Sequence, residues 1–110
     1  MIDLINELNG LNSALSASIK ELERYGREKA ETERDYKIKL RQEALKLRDG
    51  DMAVGMIDKT VYGIPEVADL RFKRDVAETM YKTAQEKINT LKLRMRLLDA
   101  QITREWGSNG

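Results

Sequence analysis

Apolar and small side chains recur in steps of three and four over residues 67–102: Val67, Leu70, Ala77, Tyr81, Ala84, Ile88, Leu91, Met95, Leu98 and Ile102, interrupted only by Arg74. A seven-residue repeat with two apolar positions keeps one stripe turned toward a partner helix, so this stretch predicts a coiled-coil seam. An earlier stripe of the same spacing runs from Leu4 through Leu8, Leu11, Leu15, Ile19 and Leu22. It thins past Gly26, Ala30 and Glu33, then returns at Tyr36, Leu40, Ala44 and Leu47. Gly10 costs only about 1 kcal/mol in a helix interior, so the first helix is carried through it, with a break there as the alternative. Ser13, Ser16 and Ser18 are indifferent helix formers, and packing must hold this part. Where the stripe thins, acid-to-base pairs four apart support the helix surface: Glu23 with Arg27, Glu33 with Lys37, and Asp35 with Lys39, each contributing about 0.2–0.5 kcal/mol.

Punctuation sets the boundaries. Asp3 can cap the first helix, and Asp49 with Gly50 ends it, glycine being the usual residue past a helix C-terminus. The apolar run DMAVGMIDKTVY follows, and a short helix is expected over residues 52–60. Gly63 and Ile64 precede Pro65 at a first helical position, with Glu66 where the helix dipole favours an acid. Arg104 in the last turn and Gly107 just beyond predict an end near Trp106, with residues 108–110 frayed. The sequence therefore predicts an all-α fold: a single helical domain with one helix over about 3–48, a connector over 49–64 and a second helix over about 65–106.

Two long helices joined by a compact connector should fold back as an antiparallel hairpin. If the turn brings Leu47 near Glu66, facing residues have numbers that sum to 113. Leu11 then faces Ile102, Leu22 faces Leu91 and Tyr36 faces Ala77. Gly26 and Ala30 come near Lys87 and Thr83, and Tyr81 fills space opposite Thr32 and Glu33. At about 1.5 Å per residue the arms would reach roughly 60–70 Å. The second helix also carries apolar residues away from the seam, Phe72 with Val76 and Leu93 with Leu97 and Ala100. Scattered surface hydrophobes are ordinary, but spacing of three and four points to a partner. The expectation is a homodimer forming a helical bundle, with Phe72, Val76, Leu93 and Leu97 as interface residues; a different protein is the alternative occupant.

Composition narrows the chemistry. Of 110 residues, 35% are charged, 5% are aromatic and one is proline, which suits solvated helices better than a sheet-based core. There is no cysteine and no histidine, which removes disulfides, thiolates, the commonest metal ligand and the commonest neutral-pH general base. Gly50 and Gly55 have phosphate-loop spacing, but Met56 and Ile57 stand where lysine and Ser/Thr are needed. Asp49, Gly50 and Asp51 resemble the start of a calcium loop that lacks its later oxygen ligands. Met52 and Met56 suit packing onto the hairpin end or an adaptable contact. Neither an enzyme, nor a metal site, nor a cofactor is expected, and a chain without a signal peptide or a spanning segment is expected to be intracellular and away from membranes.

The formal net charge of +1 gives no overall pull, but the charges are uneven. Lys37, Lys39, Arg41, Lys46 and Arg48 stand against Glu43, with Arg71, Lys73 and Arg74 on the facing part of the second helix. Glu21, Glu23, Glu28, Glu31, Glu33 and Asp35 make the middle acidic. A basic end with Lys37, Lys39, Arg41, Arg71, Lys73 and Arg74 is a candidate contact for nucleic acid or an acidic partner, set against a merely solvated face. Aromatic interleaving of the kind used on single strands is almost missing there.

The run LRFKRDVAETMYKTAQEKINTLKLRMRLLDAQITREWG, residues 70–107, resembles the C-terminal helix of small uncharacterised helical proteins of tailed phages and prophages of Gram-positive bacteria. The resemblance implies a phage accessory protein acting in the cytoplasm of a bacterial host. Such proteins include host-directed inhibitors, among them inhibitors of defence systems, and helpers of replication or recombination. Two functions are thus expected: a non-enzymatic protein that binds itself and a host or phage protein, and, as the alternative, a nucleic-acid-binding accessory protein.

Overall fold

A computed structural model describes residues 2–109, and it is all-α: α1 (Ile2–Asp49), α2 (Val54–Val61) and α3 (Pro65–Asn109). No strand occurs among the described residues. The chain divides into two compact bodies. One takes the residues up to Arg24 with those from Lys82 onward, and the other is Tyr25–Tyr81.

In the first body α1 and α3 pair antiparallel. Ala84, Ile88, Leu91 and Leu98 are buried, with Met95 and Ile102 half-buried between them, so the heptad of α3 becomes the seam the sequence predicts. On α1 the seam runs through Leu8, Leu11, Leu15, Ser18 and Leu22. Ile19, placed on the stripe by spacing alone, is exposed, and Ser18 is buried in its place. A step of seven from Leu11 leads to Ser18 and then Tyr25, whereas the step of four from Leu15 to Ile19 drifts off the face. Across the pair, Lys87 Nζ meets Glu21 Oε2 at 3.3 Å.

In the second body Val67 and Ala77 are buried on α3, and Tyr36 is buried on α1. Here too the α1 seam departs from the expected stripe, since Tyr25, Lys29 and Thr32 turn inward while Ala30 is exposed. Gly26 leaves room for the Tyr81 ring: a Cβ there would meet Tyr81 Cε2 at 3.3 Å. The short helix α2 buries Ile57 and Val61.

The register differs from the sum of 113. Gly26 lies against Tyr81, Glu21 pairs with Lys87 and Tyr36 stacks with Arg74, so facing residues sum to 107–110. The last turns of α1 are shared with α2: Arg41, Ala44, Leu45 and Arg48 line a groove with Val54, Ile57 and Asp58.

Three boundaries show local chemistry. The α1 terminus is closed by the Asp51 N–H donating to the Arg48 carbonyl at 3.0 Å and the Met52 N–H to the Leu47 carbonyl at 3.2 Å. The left-handed residue of this motif is Asp51, with φ 65°, and not Gly50. Pro65 opens α3 as expected, and the Ala68 N–H donates to the Ile64 carbonyl at 2.9 Å. At the other end α3 continues through Gly107 to Asn109, past the end expected near Trp106. Gly107 has nothing within 4 Å of its would-be Cβ, so no packing forces the left-handed turn that glycine would allow.

Candidate functional site

The residues singled out for partner contact are all on the surface. In the second body Phe72 is 70% exposed and Val76 lies beside it one turn on. In the first body Leu97 is 62% exposed and Leu93 precedes it by one turn. Phe72 and Leu93 sit opposite the buried seam of α3, while Val76 and Leu97 lie on its flank, Leu97 lining a groove with Glu7 and Leu11 of α1. Each body therefore exposes an apolar pair beyond what its own two-helix seam uses.

The basic residues fare differently. Lys37 Nζ lies 3.4 Å from Glu33 Oε1, and Lys39 Nζ lies 3.1 Å from Glu43 Oε1, whose carboxylate also takes Lys46 at 3.1 Å. Lys39 thus pairs forward with Glu43 rather than back with Asp35, which holds Arg34 at 3.0 Å. Hydrogen bonds from Lys46 and Lys39 hold the Glu43 carboxyl below its usual range. Arg74 occupies a seam position, lies 4.5 Å from the centre of the Tyr36 ring and bonds Asp75 at 2.9 Å. That hydrogen bond, against the opposing effect of burial, raises its pKa further. Arg71 lies over the Tyr62 ring at 5.6 Å. Only Arg41 and Lys73 of the six candidates are exposed without an ion pair or ring contact among the described residues.

These cations divide between two sides of each helix. On α1 Lys37 and Arg41, four apart, share one side and Lys39 takes another, because two residues advance just over half a helical turn. On α3 Arg71 and Arg74, three apart, share a side and Lys73 takes another. Three of the six, Lys37, Lys39 and Arg74, are paired with neighbouring carboxylates.

A groove that no sequence motif marks lies between the last turns of α1 and α2. It has a volume of about 350 Å³, with Leu45, Val54 and Ile57 as apolar lining and Arg41, Arg48 and Asp58 at its rim. The signal was present in the steps of three and four from Ile38 through Arg41 and Leu45 to Arg48, but it lay hidden inside a run read only for charge.

Among the described residues no cluster of histidine, cysteine, aspartate or glutamate could hold a metal ion, and no helix is long and apolar enough to cross a membrane. No family model matches the chain, and neither a curated protein nor a solved structure is similar to it.

Proposed function

We propose that this is a non-enzymatic helical accessory protein that works by protein–protein contact, using the outward side of α3, and that one of its partners is a second copy of itself. The observation that carries the reading is the exposure of Phe72 at 70% and Leu97 at 62%, each with an apolar neighbour one turn away. Fully burying a side chain of this size is worth about 1.5–3 kcal/mol, so covering such pairs in a symmetric contact offers a substantial driving force. The seam supports the same conclusion. On α1 the only large apolar side chain among the buried ones is Tyr36, while the leucines of its stripe are half-buried. A second helical pair would shield them, and a dimeric bundle is the simplest way to supply it.

The resemblance of residues 70–107 to phage proteins supplies the setting: a phage accessory protein in a bacterial cytoplasm, acting on a host protein as an inhibitor, with host defence systems among the possible targets. Binding to nucleic acid has less support, because three of the six cations it would need, Lys37, Lys39 and Arg74, are held in ion pairs with neighbouring carboxylates.

Replacement of both Leu93 and Leu97 by aspartate tests the reading. Sedimentation should fall from a dimer to a monomer of 12.7 kDa while far-ultraviolet circular dichroism stays that of the parent. An unchanged mass would show that this face of α3 is not the contact. A titration with duplex DNA and RNA at low salt, in the same buffer, should show no binding; tight binding that is lost steeply with added salt would favour the nucleic-acid alternative.

A further inference from the structure

The groove between α1 and α2 differs from every other part of the basic region. Arg41 and Arg48 are seven residues apart, so they stand on one face of α1 separated by about 10.5 Å along its axis. Neither makes an ion pair among the described residues, in contrast to Lys37, Lys39, Lys46 and Arg74. Leu45 lies between them and is 42% exposed, and across the groove Val54 is 77% exposed at the start of α2. Asp58 stands on the α2 side. Two unpaired cations, an apolar lining left open to water and a carboxylate on the opposite wall are thus gathered within one body.

We propose that this groove is a docking site for an acidic amphipathic helix of a partner protein. The argument is charge complementarity joined to spacing. A helix laid along α1 repeats with the same period, so carboxylates seven residues apart reach Arg41 and Arg48 together. Arginine is suited to this use, because its planar fork donates two parallel hydrogen bonds to a carboxylate. The apolar residues between those carboxylates cover Leu45 and Val54, taking them out of water. Asp58 selects a basic residue on the far flank of the incoming helix and repels a polyanion. That last feature separates this occupant from nucleic acid, which would bring phosphates against Asp58 and would leave the apolar lining unpaired. The proposal rests on the reading of the chain as a protein-binding module, yet it concerns a surface separate from the outward side of α3.

The test uses the full chain and a synthetic probe. The probe is a fluorescein-labelled helical peptide with leucines at four-residue spacing, flanked on one side by glutamates seven apart. Two comparison ligands are the same peptide with lysines in place of those glutamates and a labelled DNA duplex of similar charge. Fluorescence anisotropy at low salt should show the glutamate peptide binding at least tenfold more tightly than the lysine peptide or the duplex. The double variant Arg41→Glu with Arg48→Glu should lose that binding at least tenfold. Val54→Asp should weaken it as well, and Lys73→Glu should leave it unchanged. All of these residues are exposed, and circular dichroism of each variant should match that of the parent. Equal binding of the glutamate and lysine peptides, no binding of either, tighter binding of the duplex, or indifference to the Arg41 and Arg48 reversals would each overturn the proposal. Sedimentation of the Arg41 and Arg48 variant separates this site from the α3 contact. A mass equal to that of the parent keeps the groove as a site for another protein, whereas loss of the dimer would show that the groove is occupied by a second copy and overturn the assignment.

Discussion

Ser18 is the residue that the packing serves least well. It is 2% exposed, and its Oγ has no hydrogen-bond partner. A buried, unsatisfied hydroxyl carries a desolvation cost of about 1–3 kcal/mol. Ser18→Ala should therefore stabilise the chain by about 1 kcal/mol in urea titration, and a loss of stability would mean that the hydroxyl is bonded in solution. Asp51 is a second residue under local strain, since its φ of 65° is the left-handed conformation that glycine adopts at no steric cost. Asp51→Gly should raise stability by roughly 0.5–1 kcal/mol, because the αL penalty for an L-residue is removed. The end of α1 falls at Asp49 with Gly50 just beyond it, as the sequence predicts, while the left-handed conformation is taken one residue further on.

At the scale of the helices, α3 was almost wholly legible. Its seam runs from Val67 to Ile102, and the one charged residue in it, Arg74, is accommodated by stacking on Tyr36. The first helix was legible in extent but not in facing. Where leucines give way to serine, glycine and lysine, apolar spacing loses its hold on the stripe, and the heptad inherited from the flanking turns decides which residue goes inward. Register was illegible because it is a tertiary matter that no local pattern records. The two interior glycines of α1 show the same contrast. Nothing lies within 4 Å of a Cβ at Gly10, whereas one at Gly26 meets the Tyr81 ring at 3.3 Å. Gly10→Ala should gain about 0.5–1 kcal/mol from helix propensity alone, visible as a higher melting temperature. Gly26→Ala should gain less, since the ring must shift by a few tenths of an ångström, and Gly26→Leu should destabilise. Equal gains for the two alanine variants would contradict the close approach of Tyr81.

The lysines on Glu43 give the end of α1 a pH dependence. Because the carboxyl is held below its ordinary value of 4.5, its contribution is present above that value and is lost as pH falls through the lower value of the folded chain. Thermal stability should thus decline in this acid range, and the Glu43→Gln variant should show a shallower decline. With neither histidine nor cysteine in the chain, no side-chain type that ordinarily titrates between pH 6 and 8 is present, so stability should be level there. A pronounced slope between pH 6 and 8 would contradict this.

For the molecule as a whole, the candidate site was half legible. The apolar pairs on α3 could be read from spacing, since a residue three or four positions from another on a helix shares its side whatever the fold. The basic region could not, because a count of charges does not record which ones their neighbours neutralise. Lys39 and Arg74 were counted as contacts for a partner, and both are engaged within the second body. Arg48 and Leu45 acquired meaning only once α2 stood opposite them.

The central claim is that apolar surface left over from the seam is covered by other protein, first of all by a second copy. Sedimentation equilibrium of the unaltered chain over a hundredfold range of concentration tests it most directly. The account predicts a mass that rises with concentration from 12.7 kDa toward twice that value and then levels off. A mass of 12.7 kDa throughout the range would contradict it.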